Sequence, residues 1–392
     1  MEVAENPSSI LKRMKRSLLS HRSTLVTSLS CFTCFSSSSE VSSSDESSQG
    51  SQQILQNVHA FSYRELKVAT NSFHLSNKIG EGGFGSVYKG MLENGKFVAV
   101  KVLSAESRQG DKEFLSEIAS LSSISHENLV ILHGACIDGP CRILVYDYME
   151  NGNLAQILLG GDKIKRKFCW RVRREISLGI AEGLAHIHEE IKPHIVHRDI
   201  KASNILLDQN FAPKVSDFGL SKLFADNITH ISTRVAGTLG YLAPEYAISG
   251  HLTRKSDIYS FGVLLLEIVS GRTAVDFDLE LGEHFLVEKA WEMYKENKLV
   301  HLVDPMLNGN NLIEEEAIRF LKVALLCVQE KCGLRPKLSK AVKMMRGEIN
   351  ISSIEISKPG LINDFMNVKI GERRQSSQSI TTICSPQLYP NL

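Results

Sequence analysis

The sequence predicts an α+β molecule in two lobes, a β-rich first half and an α-rich second half, with disordered segments at both ends. Three observations carry this expectation. Between residues 73 and 146 the apolar residues fall in short, strand-like runs, and after Asn153 the runs lengthen and take helical spacing. The first 60 residues are serine-rich and too poor in apolar side chains to bury a core. At 392 residues the chain accommodates one large two-lobed domain with tails.

Residues 1–60 form a basic, serine-rich head. Lys12, Arg13, Lys15, Arg16 and Arg22 precede Cys31-Phe32-Thr33-Cys34-Phe35, and a weakly acidic serine stretch follows over 36–53. Two readings stand for this head. One is a flexible tail; the other is a peripheral membrane anchor, with the basic residues near anionic lipid and Cys31 and Cys34 S-acylated. Glu2 excludes N-myristoylation, which needs glycine there, and Glu2 and Glu5 argue against a transit peptide.

Order is expected from Phe61. Ser62-Tyr63-Arg64-Glu65 is a capping box with Phe61 and Leu66 placed as a staple, so a helix within 61–72 runs to about Ala69 and lies on the small lobe. The main domain then spans 73–349. Strands are expected over 85–89, 97–102 and 142–146, with a helix over 112–123 whose Phe114, Ile118 and Leu121 share one stripe. Glu117 flanks that stripe and points to the cleft, whereas Glu113, one turn earlier, is expected in water. A hinge falls near 147–151, strand-like exceptions near 205–207 and 214–216, and Val263-Leu264-Leu265-Leu266-Glu267-Ile268-Val269 reads as a buried helix. The tail over 350–392 is expected to be largely disordered.

Apolar residues make up 43% of the chain and charged ones 23%, as in a soluble globular protein, and the net charge of +1 argues against bulk nucleic-acid binding. No run of about 18 apolar residues predicts a membrane-spanning helix. The eight scattered cysteines read as reduced thiols of a cytosolic protein, and no Cys/His spacing suggests zinc. His186 and His188 read as surface or packing residues.

Three segments in order carry chemistry. The first is Gly80-Glu81-Gly82-Gly83-Phe84-Gly85-Ser86-Val87, with Lys101 sixteen residues beyond Gly85; the others are His197-Arg198-Asp199-Ile200-Lys201-Ala202-Ser203-Asn204 and Asp217-Phe218-Gly219. The glycines let backbone N–H groups approach a triphosphate without side-chain clash, and Phe84 caps the loop tip. Strand alternation puts Ala99 and Lys101 on one face, with Val98, Val100 and Val102 on the other. Ala99 leaves room for a flat base, and Lys101, fixed by Glu117, reaches the α/β-phosphates. Asp199 accepts or orients the proton of an attacking hydroxyl while Lys201 offsets charge on the transferring phosphoryl. Asn204 and Asp217 offer oxygens to Mg²⁺. A Rossmann reading fails because these glycines precede a strand rather than open a helix.

With these motifs the chain resembles the eukaryotic protein kinases, and within them the plant receptor-like kinase family, from about Phe61 to Ile349. Asn71-Ser72-Phe73, Gly237-Thr238-Leu239-Gly240-Tyr241-Leu242-Ala243-Pro244-Glu245 and Lys255-Ser256-Asp257-Ile258-Tyr259-Ser260-Phe261-Gly262 fit that pattern. Val102-Leu103-Ser104-Ala105-Glu106-Ser107-Arg108-Gln109-Gly110 and Ser357-Lys358-Pro359-Gly360-Leu361-Ile362 are similar to the cold-responsive protein kinase group of cytoplasmic members. The resemblance implies a two-lobed kinase fold, ATP and Mg²⁺ as cofactors, Ser/Thr of proteins as acceptors, and autophosphorylation. It also implies an upstream receptor kinase and a place in the cytoplasm, at the inner face of the plasma membrane. It implies an adenine site of Ile79, Tyr146 as gatekeeper, Asp147, Met149 and Leu206. Glu245 is expected to pair with Arg335, and Asp257 to brace the catalytic loop. Arg198 is expected to bind a phosphate between Asp217 and Glu245, on Ser232, Thr233 or Thr238; Thr238 alternatively contacts Asp199 and Lys201. The competing reading, a pseudokinase-like scaffold, calls for loss of Lys101, Asp199 or Asp217, and none is lost.

Overall fold

The computed structural model describes residues 58–82, 85–103, 108–158, 160, 168–278, 282–307 and 313–361. Cys31, Cys34 and the loop-tip residues Gly83 and Phe84 lie outside the described residues. The first lobe contains β1 (His59–Ala60), α1 (Tyr63–Ala69), β2 (Lys78–Gly82), β3 (Gly85–Met91), β4 (Phe97–Leu103), α2 (Arg108–Leu121), β5 (Leu132–Asp138) and β6 (Cys141–Asp147). Its strands form one sheet in the order β1-β5-β6-β4-β3-β2. All neighbours are antiparallel except β1 beside β5.

Alternation along β4 divides the lobe. Val98 and Val100 are buried with Ile143 and Val145 of β6 and with Leu66 of α1, so α1 closes one face of the sheet. The opposite face presents Ala99 and Lys101 to α2. Helix α1 starts as its sequence dictates: the Glu65 amide donates to Ser62 Oγ at 3.2 Å, and Glu65 Oε2 accepts from the Ser62 amide at 2.7 Å. Beyond α1, Asn71, Ser72 and Phe73 all take positive φ. Such backbone is unfavourable for residues with a Cβ. It is held by the Phe73 amide donating to Thr70 Oγ1 at 3.1 Å and by Phe73 packing edge-on to Tyr88, with ring centres 5.5 Å apart.

The second lobe runs α3 (Leu154–Leu158), α4 (Trp170–Ala185), β7 (His194–Val196), β8 (Ile205–Leu207), β9 (Pro213–Val215), β10 (Lys222–Phe224), β11 (Ile231–Ser232), α5 (Pro244–Ser249), β12 (His251–Leu252) and α6 (Arg254–Ser270). It continues through β13 (Val275–Asp278), β14 (Gly282–Phe285), α7 (Leu286–Lys295), α8 (Glu314–Cys327) and α9 (Leu338–Arg346). Helix α6 is the buried helix expected from its apolar run: every residue from Ser256 to Ser270 is buried. Thr253 caps its start, accepting from the Lys255 amide at 3.0 Å. Its core joins that of the first lobe through Phe114 and Ile118 of α2, Tyr146 of β6 and Phe218.

Three expectations need correction. Helix α2 begins at Arg108, four residues before its expected start at 112, because its first turn carries polar side chains and leaves no periodic signal. Glu113, expected in water, is buried and accepts from Gln109 Nε2 at 2.8 Å. The first part of the expected disordered tail is packed: Ile351 and Ile356 are buried, Pro359 bridges Gln329, and the Tyr259 hydroxyl donates to Gly360 O at 2.7 Å. Isoleucines in 350–361 give that stretch enough apolar surface to dock. Residues 362–392 lie outside the described residues. Strand β5 also escaped notice, because His133 and Gly134 interrupt its apolar pattern.

Candidate active site

The glycine-rich hairpin joins β2 to β3, with Gly82 opposite Gly85, Glu81 opposite Ser86 and Gly80 opposite Val87. Gly85 is the residue that cannot be otherwise. Its φ is +136°, and a Cβ there would sit 2.0 Å from the Val102 carbonyl oxygen. Val87 lies opposite Lys101, and Ala99 opposite Tyr146. Ile79 is exposed, and Val87, Ala99, Met149 and Leu206 are only half-buried. They thus retain apolar surface of the kind a flat ring needs.

Asp147 does not share that surface through its side chain. Period two turns it away from Tyr146, and its carboxylate accepts from His133 Nε2 at 2.7 Å and pairs with Lys96 Nζ at 2.9 Å. The His133 hydrogen bond, with help from Lys96, lowers its pKa to about 2. The Asp147 carboxylate is therefore spent on His133 and Lys96.

Lys101 Nζ lies 2.5 Å from Glu117 Oε1 and 2.9 Å from Asp217 Oδ1. Glu117 comes from α2 and Asp217 from the loop after β9, so this ammonium ties helix, sheet and loop together. Burial opposes charge on all three groups. Asp217 and Glu117 nonetheless hold Lys101 firmly protonated, and Lys101 holds Asp217 below the usual carboxylate range. For Glu117 burial wins and its pKa rises. Tyr146, kept a phenol by burial and by Glu117, donates to Glu117 Oε2. Burial also raises Glu113 to about 7, one turn before Glu117.

The Asp199 carboxylate accepts from three groups: Thr238 Oγ1 at 2.7 Å on Oδ1, and Asn204 Nδ2 at 3.0 Å and Lys201 Nζ at 2.8 Å on Oδ2. Lys201 Nζ also donates to Thr238 Oγ1 at 2.9 Å. Thr238 therefore takes the second of its expected roles, and its hydroxyl is already engaged. Asp257 braces this loop from α6, accepting from the His197 amide at 2.7 Å, the Arg198 amide at 2.9 Å and His188 Nε2 at 2.8 Å. These bonds hold Arg198 at a φ of +74°. Burial works against the Asp257 charge, yet His188 and the backbone donors keep its pKa low. His197 accepts from the Asp199 amide at Nδ1 and donates to Ser216 O from Nε2, which defines its neutral tautomer.

Arg198 has no carboxylate partner among the described residues. Its guanidinium donates to Leu220 O at 3.0 Å, Arg234 O at 2.8 Å and the Tyr246 hydroxyl at 2.6 Å. Burial first, then Arg198 and Lys112, depress the pKa of Lys222. The Arg198 guanidinium thus reaches, through Arg234 O, the segment that carries Ser232, which is exposed, and Thr233. Further along, Arg335 forms the expected two-pronged pair with Glu245, at 2.7 and 2.9 Å. Tyr246 escaped sequence reasoning, His188 was read only as a surface or packing residue, and Glu113 was expected in water. Their partners lie on other elements, and no local pattern marks them.

Hard oxygen donors for Mg²⁺ are present. Asn204 spends its amide N–H groups on Asp199 O and Oδ2, which leaves its carbonyl oxygen for a metal. Asp217 is held ionised, with Lys101 on Oδ1.

Relatives place this arrangement. Over 318 residues the chain is 57% identical to cold-responsive protein kinase 1 of Arabidopsis thaliana, covering 81% of each protein. Two probable LRR receptor-like serine/threonine-protein kinases of the same plant are 52% and 51% identical over 307 and 289 residues, 78% and 74% of this chain. The chain spans only 29% and 28% of those longer proteins. Residues 73–344 match the family described as Protein kinase domain, and this chain belongs to the protein kinase family.

Proposed function

We propose that the chain is an active serine/threonine protein kinase that moves the γ-phosphoryl of ATP to a protein hydroxyl in receptor-linked signalling. The observation that carries this reading is the assembled state of both halves of the site: Lys101 held between Glu117 and Asp217, and Asp199 oriented by Thr238, Lys201 and Asn204. Asp199 takes up the proton as the acceptor oxygen bonds to the γ-phosphorus, and the bond from that phosphorus to the β-phosphate oxygen breaks, releasing ADP. Lys201 stands beside Asp199 to offset charge on the passing phosphoryl, and Lys101 positions the α/β-phosphates. Asn204 and Asp217 would hold Mg²⁺, which supplies electrostatic stabilisation of the phosphate oxygens. The Lys201-Ala202-Ser203-Asn204 sequence and the names of the relatives support Ser/Thr acceptors.

The full chain should phosphorylate a generic Ser/Thr substrate with Mg·ATP, and Asp199→Asn should lower turnover about 10²–10⁴-fold while ATP binding and melting stay near wild type. Near-normal turnover in that variant defeats the role given to Asp199, and no transfer by wild type returns the protein to the scaffold reading. The Arg198 guanidinium, which reaches Arg234 O beside Thr233 and has no carboxylate partner among the described residues, supports a phosphate on Ser232 or Thr233 as the activating mark, gaining charge-assisted bonds there. Mass spectrometry after incubation with Mg·ATP should find it in wild type and not in Asp199→Asn.

For the head, we infer a peripheral attachment to the inner membrane face through Cys31, Cys34 and the neighbouring basic residues, supported by their sequence alone. Cys31→Ser with Cys34→Ser should shift the protein from the membrane to the soluble fraction of expressing plant cells. Unchanged fractionation rejects the anchor.

A further inference from the structure

A second set of bonds joins α2 to the Asp217 loop, apart from Lys101. Ser116 Oγ lies 3.1 Å from Phe218 O and 3.0 Å from Ser221 O. Ser120 Oγ and Ser221 Oγ are 2.6 Å apart, and Ser221 Oγ lies 2.7 Å from Phe218 O. Where Ser221 gives its hydrogen to Phe218 O, Ser120 donates to Ser221 Oγ, and Ser116, which also lies 3.2 Å from Ser221 Oγ, gives its single hydrogen to one of the two carbonyls or shares it between them. Ser120 and Ser221 are almost fully buried, so water cannot replace a lost partner.

Spacing on α2 makes this set mechanically specific. Ser116 precedes Glu117, and Ser120 follows it by three residues, so the same helical face carries the carboxylate and both hydroxyls. On the opposite side, Ser221 closes the short helical turn Phe218–Leu220 that directly follows Asp217. The two carboxylates around Lys101 thus come from segments stitched together one turn away. Lys101 alone could hold either carboxylate with the other displaced; the serines make the two positions interdependent.

We propose that Ser116, Ser120 and Ser221 form a polar latch that docks α2 on the Asp217 turn and thereby keeps Glu117 within reach of Lys101. They are positioning residues and touch neither nucleotide nor acceptor. The proposal rests on the phosphoryl-transfer reading for its kinetic consequence but not for its geometry.

The test is a double-mutant cycle in the full chain. Ser221→Ala and Ser120→Ala are each made alone and with Glu117→Gln, and read by kcat/KM for ATP, melting temperature and amide exchange over residues 113–121. Each serine variant should lose about tenfold in kcat/KM, the effect of one net buried hydrogen bond. In the Glu117→Gln background the same change should cost less than about twofold, because the latch acts through Glu117. Exchange over 113–121 should quicken. Full additivity with Glu117→Gln, or unchanged exchange in both serine variants, overturns the latch. If Ser221→Ala unfolds, Ser120→Ala carries the cycle, since it deletes a donor and leaves the Ser221 bond to Phe218. Absence of turnover in wild type would instead sink the kinase reading, and the exchange data would still decide the latch.

Discussion

At the scale of single residues, buried carboxyls with different partners behave in opposite ways. Asp257 is wholly buried and Asp217 half-buried, yet both stay ionised, the first through His188 and two backbone amides and the second through Lys101. Glu267, near the end of α6, is buried like Asp257, but among the described residues it has no cation beside it and accepts only from the Tyr241 hydroxyl at 2.6 Å and the Ala274 amide at 2.8 Å. Burial therefore dominates and lifts its pKa from 4.5 to about 7. Its folded-state pKa lies above the unfolded one, so between those values the native state binds the extra proton and stability falls as pH rises. The penalty is complete above about pH 7. Glu267→Gln keeps an acceptor for Ala274 and offers Tyr241 a donor, so it should stabilise the protein by roughly 1–3 kcal/mol at pH 8 and by much less at pH 5. Urea unfolding at the two pH values checks this; an equal gain at both would show that the carboxyl is not titrating. Nothing in the sequence around Glu267 signalled it, since a glutamate in an apolar run says only that a partner must exist.

Among elements, α1 and the glycine-rich hairpin show how much a local sequence can specify. The capping box of Ser62 and Glu65 formed as read, and the helix ends at Ala69 as expected. What the local sequence did not reveal is that Leu66 is the only buried residue of α1 and fills the outer face of the sheet with Val98, Val100, Ile143 and Val145. Leu66→Ala should cost about 2–5 kcal/mol, the range for a core leucine whose site cannot collapse. A melting-temperature drop of several degrees would show that residues 61–72 belong to the folding unit, whereas an unchanged melt would make α1 an appendage. Helix α2 was recognised from Phe114, Ile118 and Leu121, but its first turn and the burial of Glu113 were not. The first turn is polar and leaves no periodic signal, and the burial of Glu113 depends on what the Asp217 loop places against the helix, where Gly219 lies beside it.

Over the whole molecule, the two lobes are joined by Lys101, which meets Asp217 across 116 residues of sequence, as well as by a continuous core, and within the second lobe Arg335 meets Glu245 across 90. The guanidinium of Arg335 also lies over the Tyr259 ring, 5.1 Å from its centre, and Tyr259 in turn donates to Gly360 O. Segment 350–361 therefore props the pair that anchors the start of α5. A chain ending at Ile349 should lose the burial of Ile351 and Ile356, about 1.5–3 kcal/mol for each side chain. It should melt well below a chain ending at Leu361, and equal melting of the two truncations would refute a structural role for the segment.

The sequence by itself determined the class of fold, the order of the lobes, the capped start of α1 and the protein kinase family. These are written in period, in turn and cap chemistry, and in side chains whose type admits few other uses. Only the tertiary structure decided that Thr238 serves Asp199, that Asp147 turns its carboxylate to His133, and that Glu113 is buried. It also decided that the tail docks as far as Leu361 and that three serines stitch α2 to the Asp217 turn. Each of these is set by a partner distant in sequence, and a hydroxyl or carboxyl takes its protonation, its hydrogen-bond direction and its role from that partner.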